Sequence, residues 1–126
     1  MATNIFKLVP DQDYLSLYEK SRVQGNRIAK FLEFDRKDIS QATGVPESNV
    51  RYDEKMPSLL HDRMREWATL LNLVAGYFKG DKLKTVQWFT TPKPFLGGIS
   101  PRDMIKLGRY NKLLKFVINA MEENGP

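Results

Sequence analysis

The sequence predicts an all-α fold, and three observations carry that expectation. Apolar residues recur at three- and four-residue spacing along most of the chain. No stretch of useful length alternates apolar and polar side chains as a half-buried strand does. Glycines and prolines fall between the periodic segments, with no internal repeat and no low-complexity linker. At 126 residues with 41% hydrophobic side chains, the chain suffices for one ordinary domain or two small modules sharing a core.

Taken in order, a first helix is expected over residues 11–20, after Pro10, with Tyr14, Leu15, Leu17 and Tyr18 at helical spacing. Residues 22–32 place Val23, Ile28, Phe31 and Leu32 on one face, and Gly25 shifts the start toward Asn26. Two short helices follow, over 35–43 and 46–55, separated by Gly44 and Val45. Pro57 ends the second, and Ser58 is expected to cap the longest helix, 58–78. Its Leu60, Met64, Trp67, Leu71, Val74 and Phe78 form an apolar stripe. Gly80 closes that helix and Asp81 opens another to residue 89, with Leu83, Val86 and Trp88 or Phe89 inward. Residues 90–100 hold two prolines and two glycines and read as loop. Residues 102–121 close the chain, broken near Gly108, with Ile105, Leu107, Leu113, Leu114, Val117 and Ile118 as its apolar positions.

Composition excludes several kinds of chemistry. Cysteine is absent and His61 is the single histidine. A disulfide scaffold, a thiol nucleophile, a thiolate metal site and any site needing two imidazoles are therefore ruled out. No carboxylates stand in a recognisable catalytic pair and no serine has a base spaced to activate it, so no enzyme, cofactor or metal site is expected. No apolar run reaches the roughly 18 residues of a membrane span. The N-terminus does not read as a signal peptide, so a soluble cytoplasmic protein is expected. The net charge of +5 is a mild lean toward polyanions, and the basic excess grows toward the C-terminus.

Two segments carry the most specific patterns. In residues 36–52, Ile39 supplies the apolar position of a first helix, with Ser40 and Ala42 small enough for a close crossing. Gly44 permits positive φ in the turn, and Val45 and Val50 would tuck beneath. This is the pattern of a helix-turn-helix. A second helix after Gly44 would present Glu47, Ser48, Asn49, Arg51 and Tyr52 outward. Arg51 would be placed to grip guanine, and Arg36 and Lys37 to meet phosphates. Residues 87–105 are punctuated differently. Pro92 and Pro94 end a helix, Gly97 and Gly98 permit a turn closed to other residues, and Ser100-Pro101-Arg102-Asp103 is a complete helix start. Trp88, Phe95, Leu96 and Ile99 are expected to fill the hollow under that loop.

The run from Trp88 through Thr90-Thr91-Pro92, Phe95-Leu96-Gly97-Gly98 and Ser100-Pro101, following Phe78-Lys79-Gly80-Asp81, resembles the C-terminal domain of Xre/MbcA/ParS-type antitoxins. The N-terminal pattern is similar to the Xre-like half of the same architecture, and the likeness covers about residues 26–121. Lys93, Phe89 and residues 109–112 depart from the family's commoner residues. The resemblance implies a small, bacterial, dimeric, all-helical antitoxin of a type II toxin–antitoxin module. Residues 1–62 would form a helix-turn-helix domain that binds operator DNA, and residues 63–126 a domain for toxin binding and dimerisation. The toxin, often of the RES-domain class that degrades NAD, would be blocked sterically, and the module would repress its own operon. Arg102, Lys106, Arg109, Tyr110, Lys112 and Lys115 are the toxin contacts expected, docking on an acidic rim. Gly44, Trp88, Gly97, Gly98, Ser100 and Pro101 are the structural positions. The alternative is an orphan helix-turn-helix regulator or a dimeric adaptor without a toxin.

Overall fold

The structure, a computed structural model, describes residues 12–123. Where the first helix is expected, Asp13 turns the chain instead; residue 11, its expected start, lies outside the described residues. The Asp13 carboxylate accepts the backbone N–H groups of Leu17 and Tyr18, each at 2.8 Å. A short acidic side chain that binds nearby backbone competes with the helix in this way. A minimal hairpin follows, β1 (Tyr18–Glu19) paired antiparallel with β2 (Arg22–Val23). Lys20 and Ser21 link them with positive φ, the tight-turn geometry that suits strand twist.

The helix α1 (Gly25–Leu32) starts close to the expected position and buries Ile28, Ala29, Phe31 and Leu32. The next, α2 (Arg36–Thr43), opens on a reciprocal cap between Asp35 and Asp38 and ends at Gly44, whose φ of 80° closes the helix. The helix expected over residues 46–55 does not form. Glu47–Asn49 is a single 3-10 turn, and the chain then runs extended to a bend at residues 53–55. Asp53 again accounts for the difference, since its carboxylate accepts the Lys55 N–H at 3.0 Å and binds Arg51.

The long α3 (Ser58–Tyr77) has its apolar stripe as expected, with Leu60, Met64, Trp67, Leu71 and Val74 buried. Ser58 is not its cap; Pro57 occupies that position and offers no side-chain bond. Asn72, buried on α3, accepts the Leu15 N–H at 3.1 Å and donates to Asp13 at 2.9 Å, which fastens the N-terminal turn to the helix. Asp81 caps α4 (Lys82–Thr90) by accepting the Lys84 N–H at 3.0 Å. Thr85, Trp88 and Phe89 face inward on α4, whereas Leu83, expected inside, is 68% exposed. The last segment divides as expected into α5 (Pro101–Lys106) and α6 (Tyr110–Glu123), with Gly108 at positive φ between them. The described residues are thus mostly helical, with one two-stranded hairpin.

One hydrophobic core runs from Leu15 to Val117. It brings Phe34 edge-on to Trp67, and Phe31 edge-on to Phe89. The division expected after residue 62 falls inside α3, and α5 packs on α2, α4 and α6. Among the described residues no helix is long and apolar enough to cross a membrane.

Candidate functional site

The corner around Gly44 buries the apolar residues expected to meet there. Ile39, Val45 and Val50 are buried, and Thr43 Oγ1 donates to the Ile39 carbonyl at 2.7 Å while accepting the Val45 N–H at 3.1 Å. Beyond Gly44, however, the expected outward face is rearranged. Glu47, Ser48 and Asn49 are exposed on the 3-10 turn. Arg51 is exposed but held by both Asp53 oxygens. The Asp53 hydrogen bond and charge raise the Arg51 pKa, and the Arg51 hydrogen bond lowers that of Asp53. Tyr52 does not face outward: its ring lies over Gly25, where a Cβ would stand 2.5 Å from Tyr52 Cδ1. Burial pushes its hydroxyl pKa up, against the Arg36 charge. Arg36 and Lys37 are exposed, and Arg36 also donates to the Glu47 carbonyl at 3.1 Å.

The six cationic and aromatic residues expected to meet a toxin separate into two groups. Arg102, Lys106 and Tyr110 serve the fold. The Arg102 guanidinium donates to the Leu32 carbonyl and, at 2.8 Å, to the Glu33 carbonyl, lying 5.2 Å over the Phe34 ring. It thereby satisfies carbonyls at the C-terminal end of α1. Lys106 Nζ pairs with Asp38 at 3.1 Å. Burial opposes ionisation of Asp38, but the Asp35 N–H and Lys106 outweigh it and hold its pKa below the ordinary value. The Tyr110 hydroxyl donates to the Glu66 carbonyl at 2.9 Å, and burial pushes its pKa well up. Arg109, Lys112 and Lys115 are exposed, and none has a carboxylate partner among the described residues.

The loop before α5 also places one residue otherwise than expected. Pro94–Leu96 forms a 3-10 turn fixed by four backbone bonds: Leu96 and Gly98 N–H to the Lys93 carbonyl, Gly97 N–H to Pro94, and Lys93 N–H to Ile99. Gly97 and Gly98 take φ of 76° and 84°, as their pairing predicts. Trp88 is buried below with Lys93 Nζ 5.1 Å over its ring, and burial lowers the Lys93 pKa. Ser100 is buried and caps α5 by accepting the Asp103 N–H at 3.1 Å, and Pro101 occupies the first helical position. Leu96 and Ile99 are half-buried, but Phe95 is not a filler. It is 84% exposed.

Adjacent side chains on a tight 3-10 turn diverge, so Phe95 and Leu96 cannot both point inward. Pro94 and the two glycines flanking that pair were the signal available for the outward Phe95. The ring stacks on Phe116 of α6, with centroids 6.4 Å apart and planes at 26°. Beside the pair lies a cavity of about 280 Å³ lined by Leu96, Met104, Arg109 and Lys112 as well as the two rings. Among the described residues, no cluster of three or more histidines and carboxylates could hold a metal ion. Comparison of the chain with family models, with curated proteins and with solved structures finds no match.

Proposed function

We propose that this chain is the antitoxin of a toxin–antitoxin pair and neutralises its toxin sterically through the face made by the Phe95 loop and α6. The observation that carries the reading is Phe95, a large apolar ring 84% exposed on a loop tied down by backbone hydrogen bonds. Arg109 and Lys112 stand beside it. Aromatic and arginine side chains dominate the energetics of protein interfaces. A support rigid before binding also lowers the ordering cost of association. The partner class comes from the resemblance of residues 78–81 and 88–101 to antitoxin C-terminal domains. Blockade of this kind needs area and anchors rather than a reacting group.

Co-expression with the neighbouring reading frame tests the reading. The full chain is expected to relieve growth arrest and to co-purify with that product. Phe95→Ala should weaken the complex by about tenfold or more, as loss of an interface anchor does. Arrest that the full, folded chain does not relieve would overturn the assignment.

DNA binding is the second part of the proposal, supported by the α2–Gly44 corner and the exposed Arg36 and Lys37. The major groove is read by an inserted helix or a two-stranded ribbon, and residues 46–55 offer a single 3-10 turn. We therefore assign this surface to phosphate contacts rather than base reading. Operator and random duplex should then lose affinity together as salt rises.

A further inference from the structure

We infer that the cavity beside Phe95 and Phe116 receives one apolar side chain of a partner protein, from a segment that places an aspartate or glutamate against Arg109 and Lys112. The inference rests on the docking face proposed above and adds the chemistry of what it holds. At about 280 Å³, the cavity lies just under the roughly 300–1,000 Å³ of sites for small molecules. It has room for one large apolar side chain. Of the described residues that line it, Leu96, Met104 and the two rings are apolar, and Arg109 and Lys112 are cationic.

The charge at the cavity is of one sign: among the described residues Arg109 and Lys112 line it and no acidic residue does. A partner that covered these two cations without an opposing charge would take them from water uncompensated, which opposes binding. An occupant must therefore carry negative charge as well as apolar bulk. A nucleic acid supplies negative charge too, and a base could stack on the outer face of Phe95. Its polar edges, however, would find no hydrogen-bonding N–H or O–H group on Leu96 or Met104, leaving Arg109 and Lys112 to serve both the base and its phosphate. A leucine or phenylalanine next to a carboxylate satisfies both parts of the site.

Selection of displayed random dodecapeptides on the full-length chain, with the Phe95→Ala and Lys112→Glu chains in parallel, tests this. Phe95 and Lys112 are exposed, and matching circular dichroism and thermal melts would verify that the variants fold. Enriched peptides are expected to combine an aliphatic or aromatic residue with an acidic neighbour. Their affinity should fall about tenfold or more in either variant, and the Lys112→Glu effect should shrink as salt rises. Peptides that depend on Phe95 but lack an acidic residue would overturn the inference while leaving the docking face in place. No enrichment over the Phe95→Ala chain would overturn both. An oligothymidylate that outcompetes every selected peptide would overturn the inference in favour of single-stranded nucleic acid.

Discussion

Arg102 and Lys106 lie one turn apart on α5, and both bind groups within the chain that are far away in sequence. Arg102 reaches the Leu32 carbonyl across 70 residues, and Lys106 reaches Asp38. Nothing in the local pattern of α5 distinguishes them from Arg109, Lys112 and Lys115, which have no such partner. A basic helix face can be read from spacing, but a tertiary acceptor cannot. Lys106→Met should destabilise the protein by about 1 kcal/mol near neutral pH, the upper range for a partly exposed pair. The pH dependence follows from the depressed pKa of Asp38. Its stabilisation is complete above the unfolded value of about 3.9 and is lost as pH falls through the lower folded value. Urea denaturation at a series of pH values should show the two proteins' stabilities differing most above about pH 4 and converging below it.

Among the elements, those set by periodicity and caps were legible: α2 with its aspartate box, α3 with its stripe, α4 behind Asp81 and α5 behind Ser100. The two that failed, over residues 11–20 and 46–55, each contain an aspartate whose side chain takes backbone N–H groups. Helical spacing of apolar residues suggested the first and the pattern around Gly44 the second, but neither reveals that competition. The second failure also moved Tyr52 onto Gly25, the position read only as a weak helix start. That contact makes a prediction. Alanine at residue 25 should favour the helix by up to about 1 kcal/mol. Because its methyl overlaps the Tyr52 ring, Gly25→Ala should instead be destabilising by about 1–2 kcal/mol. The same change in a Tyr52→Ala background should be neutral or stabilising, and chemical denaturation of the four proteins would measure the coupling.

For the molecule as a whole, the core does not respect the division expected at residue 62. Leu60 and Met64, on either side of it, are both fully buried on α3, and α5 packs against α2 as well as α6. The sequence carried the all-α class, the position of the distinctive loop and two modules sharing a core as one of its readings, but not which helices share it, because pairing between distant helices leaves no local trace. Residues 63–126 expressed alone should therefore show reduced helicity and no cooperative thermal transition by circular dichroism, whereas the full chain melts in one step. Phe95 has a consequence on this scale as well. An uncovered ring on a stiff stalk is adhesive toward whatever comes near, and a second molecule of the same protein is the commonest neighbour in a concentrated sample. Surplus chain left without a companion would then be the form inclined to clump, so the balance between the two proteins of a pair would govern solubility as well as inhibition.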